Sequence, residues 1–309
     1  VEVLRTPDEY FENLEDYPFE PNFVEVPADP EEAFGVKLRI HYVDEGPRHG
    51  QPVVLLHGEP SWSYLYRKMI PLLAGAGYRT VAPDLVGFGK SDKLANRSDY
   101  TYRRHVSWMQ AFLDALELDD ITLFCQDWGG LIGLRLVADR PERFSRVVAA
   151  NTFLPTGNVR SEAFMAWRKF SQESQDFPVG QIVARGCVKP LSQEVIRAYD
   201  APFPDDTFKA GARQFPLLVP ISPEDSEAEE NRRCWEALRQ YDRPFLTTFS
   251  DSDPITRGAE RVFQQVIPGA RNRNHPTIEG AGHFLQEDKG EELAQILVDF
   301  IESTGGTAR

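Results

Sequence analysis

Residues 121–133 read ITLFCQDWGGLIG, an apolar run that stops at Gln126-Asp127-Trp128 before a helix-like pattern resumes. An unpaired carboxylate at the end of a buried strand is costly, so Asp127 must be satisfied by nearby donors or used in chemistry. One reading makes it the cap of a helix that starts at Trp128, a common use of aspartate. The other makes it a nucleophile displayed on a sharp turn between strand and helix. A carboxylate is ionised at neutral pH and needs no base to activate it. It can displace a leaving group at saturated carbon, which leaves an alkyl ester of Asp127. A second group must then remove a proton from the water that attacks the ester carbonyl carbon.

The chain has six histidines to fill that second role. His283, in GAGHF at 280–284, lies between the last strand candidate and the last helix candidate and suits a base. His57, in LHGEP directly after a strand candidate, better suits the shaping of a turn. For an acid that orients the base, SDSDPITRG offers Asp251 and Asp253. Asp253 precedes Pro-Ile, which suits a side chain turned inward, whereas Asp251 reads as a turn residue. Asn151, at a strand end, cannot carry the charge, and Asp84 in APDLVGFGKSD reads as an organiser of its loop.

The leaving group can be asked of the same sequence. An epoxide oxygen needs an acid, commonly a tyrosine O–H, and Tyr199 is the one tyrosine between residues 152 and 240. A halide needs a dry pocket and donors that never deprotonate, and an indole N–H is a donor only. Trp128 follows the nucleophile candidate directly, and Trp167 in FMAWRKF lies close in sequence to the strand end at Asn151. Trp235, in a helical context, reads as core packing.

These residues have to be positioned by a scaffold. Short β-rich runs at 37–43, 52–56, 78–82, 121–125 and 146–150 alternate with helical candidates near 62–76, 102–117 and 129–139. That alternation predicts an α/β fold with a mostly parallel central sheet and helices on both faces. After Asn151 the rhythm breaks into helix-like and Pro-rich stretches until PFLTTFS at 244–250 restores a strand, followed by HPTIEG at 275–280 and EELAQILVDFIES at 291–303. The expected organisation is a core of residues 1–151 and 241–309 interrupted by a helical cap, 152–240. Such an insertion would lie over the carboxyl ends of the strands, where open α/β sheets bind ligands.

Composition narrows the function. A formal net charge of −14 repels phosphate backbones, and with no basic patch in view nucleic acid is excluded as a partner. Cys125, Cys187 and Cys234 are too far apart in sequence for metal-ligand spacing, and three is an odd number for a disulfide framework, so a reducing cytoplasm is the expected location. The first residues carry acids and prolines and no signal-like apolar stretch, although the start at Val1 leaves a preceding segment open. No apolar run is long enough to span a bilayer.

Cys125-Gln126-Asp127-Trp128-Gly129 resembles the nucleophile elbow, G-x-S-x-G, of the α/β-hydrolase fold, with Cys125 at the first glycine and Asp127 at the serine. In that fold the oxyanion donors would be the backbone N–H groups of Trp128 and Glu59. Nearly the whole chain is similar to the haloalkane dehalogenases, in particular their first subfamily. The resemblance rests on HGEPSWSYLYRKMIP at 57–71, APDLVGFGKSDK at 82–93, ITLFCQDWGG at 121–130, Ala166-Trp167-Arg168, AYDAPFPD at 198–205 and GAGHFLQE at 280–287. It implies Asp127 as nucleophile, His283 as base and Asp253 as its partner, with Trp128 and Trp167 binding halide through their indole nitrogens. It further implies that Glu59 contributes a backbone amide and that Phe164 lines the pocket near the halide. The cap departs from the family pattern in length and in the residues after Phe170, which leaves substrate preference open.

The expected activity is hydrolysis of a small haloalkane to a primary alcohol, halide and a proton, by a monomer without cofactor, metal or membrane partner. An epoxide hydrolase with the same nucleophile, using Tyr199 as proton donor, is the alternative within the fold. A non-catalytic ligand-binding protein on the same scaffold is the alternative outside catalysis.

Overall fold

A computed structural model describes residues 1–29, 35–159 and 161–305. Seven strands form the central sheet in the spatial order Asn22–Pro27, Lys37–Glu45, Arg79–Pro83, Pro52–Leu56, Ile121–Gln126, Phe144–Ala150 and Phe245–Thr247. Lys37–Glu45 runs antiparallel to both of its neighbours, and the remaining pairings are parallel. All six residues of Ile121–Gln126 are buried, as expected of a central strand covered on both faces, so its apolar run is continuous and not alternating. The register sets Leu56 opposite Cys125 and Gln126 opposite Ala150. The loops that leave these strands therefore start side by side at one edge of the sheet.

Helix Tyr102–Ala115 packs against helix Trp128–Asp139, and Ile70–Gly75 packs against Leu285–Thr304. Thr101 starts the first of these helices, its hydroxyl accepting the Arg104 N–H. Between Ala150 and Phe245 come five α-helices and, among the described residues, no strand: Glu162–Glu173, Val179–Arg185, Gln193–Asp200, Ala210–Leu218 and Ser226–Leu238. Ser161, Ser192 and Asp225 cap three of them with side-chain oxygens.

Three elements differ from the sequence expectation. The single helix foreseen at 62–76 is a 3₁₀ turn, Ser63–Tyr66, and a short helix, Ile70–Gly75. Pro71 sits in the first turn of that helix, where its missing N–H costs nothing, and this resets the helix start. PFLTTFS splits into Phe245–Thr247 in the main sheet and Phe249–Ser250, which pairs instead with Thr277–Ile278. The split follows from Asn151, whose side-chain oxygen takes the Ser250 N–H at 2.9 Å and draws the chain away from the ladder. Finally, the last helix spans Leu285–Thr304 with a break at Lys289, and so begins directly after His283-Phe284.

Candidate active site

Asp127 occupies the turn between Ile121–Gln126 and Trp128–Asp139 with φ 52° and ψ −126°, outside the regions most L-residues adopt. Packing holds it there. A Cβ on Gly129 would lie 2.1 Å from the Leu56 carbonyl oxygen, and one on Gly130 would lie 2.0 Å from Thr152 Oγ1. Only glycine allows the helix to start that close to the neighbouring strands. Gly58 serves the side chain itself, because a Cβ there would fall 2.3 Å from Asp127 Oδ1. The Asp127 side chain makes no capping bond. Instead, Oδ1 accepts the Glu59 N–H at 2.8 Å, while the Asp127 carbonyl takes the Thr152 hydroxyl at 2.7 Å. Capping therefore does not account for the acid.

The other carboxylate oxygen, Oδ2, lies 3.4 Å from His283 Nε2, and His283 Nδ1 lies 3.1 Å from Asp253 Oδ2. The Asp253 carboxylate is itself fixed by N–H donors from Ile255 at 2.9 Å and Thr256 at 3.3 Å and by the Thr256 hydroxyl. Burial alone would depress the His283 pKa, but the Asp253 charge and the hydrogen bonds to Asp127 and Asp253 outweigh it and raise it to about 10. Burial would raise Asp253, yet His283 and Thr256 bring it down to about 2. Asp253 and Asp127 thus both favour the imidazolium form of His283.

These groups open onto a cavity of about 330 Å³ whose walls include Leu131, Phe153, Phe164, Phe170, Ile182, Val219, Ile255 and Phe284. Trp128 and Trp167 line it as well. Trp128 is wedged edge-on between Tyr102 at 4.9 Å and Phe215 at 4.8 Å. Trp167 stacks on Phe170 at 5.8 Å. Its indole reaches the Glu59 carboxyl, whose pKa burial and the Asp127 charge push well above the usual carboxylate range, with His283 and this hydrogen bond opposing. Glu59 Oε1 is buried without a hydrogen-bond partner, in keeping with that upward shift.

The rival residues lie elsewhere. His57 Nδ1 bonds the Gly58 carbonyl at 2.8 Å and Nε2 accepts the Leu85 N–H at 2.9 Å, a loop-shaping pair. Asp251 takes the N–H groups of Gly280 and Ala281 at the surface. Asp84 gathers His41, Ser63 and Lys90. Trp235 gives its N–H to the Leu154 carbonyl at 2.9 Å and stacks on Phe263. Tyr199 corrects an expectation: it is fully buried and donates to Glu287 alongside Arg67 and Lys68, and no tyrosine is found among the described residues that line the cavity. A helix-borne side chain points where its face points, and that face meets the core here.

Two contributors escaped the sequence reading. The Asn151 amide donates to the carbonyls of Gly282 at 2.9 Å and His283 at 3.1 Å, and Gln126 Nε2 donates to the His283 carbonyl at 3.1 Å. Both hold the histidine loop, and their polar character at strand ends was the only sequence signal for them.

Residues 51–186 match the family described as alpha/beta hydrolase fold. A haloalkane dehalogenase of Psychrobacter cryohalolentis is 59% identical over 302 residues, covering 97% of this chain and 98% of that one. The chain belongs to the haloalkane dehalogenases. Another member, from Mycolicibacterium paratuberculosis, is 52% identical over 304 residues, covering 98% of this chain and 99% of that one. Among solved structures, the tetrameric haloalkane dehalogenase DpaA from Paraglaciecola agarilytica NO2 superposes with a TM-score of 0.87 at 35% identity, covering 96% of this chain and 97% of that one. The similarity thus extends over the five helices between Ala150 and Phe245 as well as the sheet.

Proposed function

We propose that the protein hydrolyses small halogenated alkanes to a primary alcohol, halide and a proton. The observation that carries this reading is the Asp127 carboxylate, beside Glu59, facing a largely apolar cavity whose walls hold two indoles and, among the described residues, no tyrosine. An oxygen lone pair of Asp127 forms a bond to the halogen-bearing carbon as the carbon–halogen bond breaks, and the halide leaves with the electron pair. The indole N–H groups of Trp128 and Trp167 receive it, that of Trp167 exchanging the Glu59 carboxyl for the halide, with Phe164 lining the same cavity. Water then attacks the ester carbonyl carbon and passes a proton to His283, whose orientation Asp253 fixes. The backbone amides of Glu59 and Trp128 are the proposed donors to the oxyanion. Breakage of the ester C–O bond returns a proton to the departing alkoxide, giving the alcohol, and loss of the remaining proton restores the carboxylate.

The imidazolium is compatible with this order of events. Direct displacement asks nothing of the histidine, and alkylation erases the Asp127 charge that helps keep it protonated, so the base becomes available when an ester exists for it to act on.

By the same reading, residues 1–151 and 241–309 form the core and 152–240 the cap. One chain supplies every group in the site, which supports a monomer as the working unit, and three unpaired cysteines support a cytoplasmic setting. Among the described residues no helix is long and apolar enough to cross a membrane.

Single turnover in oxygen-labelled water tests the reaction path: the ester route places label in the Asp127 carboxylate, and an unlabelled side chain would refute it. His283→Gln should accumulate an alkyl adduct on Asp127. Halide release across chlorinated, brominated and iodinated alkanes would define the substrate range, and bromide soaked into crystals should lodge between Trp128 and Trp167.

A further inference from the structure

Asp288 lies outside the cavity, five residues beyond His283, and is 2% exposed. Its carboxylate gathers backbone donors from two separate elements. Oδ2 accepts the Gly282 N–H at 2.9 Å, on the loop that carries His283. The same carboxylate accepts the Val188 N–H, 2.9 Å from Oδ2, and the Lys189 N–H, 2.7 Å from Oδ1, both in the helical insertion. The Lys189 ammonium closes the arrangement on the Asp288 carbonyl at 2.8 Å. Alongside, the backbones nearly touch: the Phe284 N–H donates to the Gly186 carbonyl at 3.2 Å, and a Cβ on Gly282 would lie 2.3 Å from that same oxygen. Gly186 is confined likewise, since its Cβ would fall 2.6 Å from the Phe284 ring. Cys187 and Val188 are cavity walls, as are Gly282 and His283.

We infer that Asp288 is a positioning residue that joins the loop of His283 to segment 186–189 of the insertion, so that the base and this wall of the cavity move as one unit. The physical case is donor count. Three N–H groups, that of Gly282 buried and those of Val188 and Lys189 part-buried, converge on one buried carboxylate, which accepts at both oxygens; an amide in its place accepts at only one, and its NH₂ then confronts an N–H. Asp288→Asn is nearly the same size, so it loosens one side of the seam without opening a cavity. Displacement of a catalytic group by an ångström costs up to about a hundredfold in rate.

The inference rests on the proposed role of His283 in ester hydrolysis alone, and this gives it a selective signature. In Asp288→Asn, rapid-quench halide release should keep its burst, while steady-state turnover falls roughly tenfold or more and the alkyl adduct on Asp127 accumulates in the intact-mass spectrum. A residue that merely supports the fold would slow both phases together or neither. His283→Gln is measured in parallel. Absence of an adduct in that variant overturns the reading of the reaction itself, whereas an adduct there and none in Asp288→Asn overturns the role of Asp288. Gly186→Ala, which presses on the Phe284 ring from the other side of the seam, supplies the same readout if Asp288→Asn does not fold. Adduct accumulation in Gly186→Ala supports the coupling, and unchanged partition between the two phases refutes it.

Discussion

After the charge of Asp253, the contact with Asp127 should help keep His283 protonated, and the structure sets an upper size for that contribution. His283 Nε2 stands 3.4 Å from Asp127 Oδ2. With an effective dielectric constant of about 20, a unit charge at that separation stabilises the imidazolium by ~5 kcal/mol, worth between three and four pKa units before the remaining dipoles offset some of it. Asp127→Asn should therefore bring the His283 pKa down from about 10 by roughly three, to near neutrality. Imidazole signals of isotope-labelled wild type and variant, followed by NMR across pH, measure this directly. The sign for stability follows. A histidine raised from 6.5 to about 10 adds stability that is fully present below 6.5 and is lost as pH rises through about 10. The Asp127→Asn enzyme should lose its share at lower pH. In turnover, alkylation replaces the substitution, so ester hydrolysis should rise with pH through neutrality while the halide burst stays level. Equal His283 pKa values in wild type and Asp127→Asn would refute the coupling, and with it the account of why an imidazolium can precede a base.

Trp167→Phe should weaken bromide binding roughly tenfold to a hundredfold, the worth of one hydrogen bond to an ion, while Trp235→Phe, whose N–H is already given to Leu154, should leave it unchanged; bromide titration of tryptophan fluorescence checks both. Tyr199→Phe removes one donor from buried Glu287 and should lower unfolding free energy by ~1–2 kcal/mol in urea titrations, with halide release within about twofold of wild type. Gly130→Ala forces a Cβ to within 2.0 Å of Thr152 Oγ1 and should cost about 1–3 kcal/mol, read as a lower denaturation midpoint, because Thr152 also holds the Asp127 carbonyl.

The elbow was legible in sequence because its parts are adjacent: the strand, the acid and the two glycines sit within ten residues, and each is needed for a local reason. His283 and Asp253 were legible by order along the chain and by the loop types around them. Tyr199 was not, since counting tyrosines in the insertion says nothing about which face of Gln193–Asp200 carries one. The partner of Tyr199, Glu287, is 88 residues away, and Asn151 reaches Ser250 across 99. Contacts of that span depend on how the sheet edge and the insertion meet, and no local pattern encodes them. The break in PFLTTFS has the same origin, because the residue bonded to Ser250, Asn151, directly follows another strand, Phe144–Ala150.

Charge conservation links these observations. In the resting site, the Asp253 and Asp127 carboxylates both favour the imidazolium form of His283, which offsets part of their charge. In the proposed displacement, the charge on Asp127 passes to the halide, so the site's net charge does not change as the carbon–halogen bond breaks. An ionised Glu59 beside Asp127 would add a further charge and oppose the arrival of negative charge at the halide. Burial and the Asp127 charge push the Glu59 pKa well above the usual carboxylate range, which disfavours that ionised form, while its backbone N–H donates to Asp127 Oδ1 at 2.8 Å. In the proposed displacement the two indoles would hold the departing charge from different helices, Trp128 from Trp128–Asp139 and Trp167 from Glu162–Glu173. Retention of halide is thus tied to the seating of the insertion, and at the seam of residues 186–189 with 282–284 that seating is tied in turn to the base.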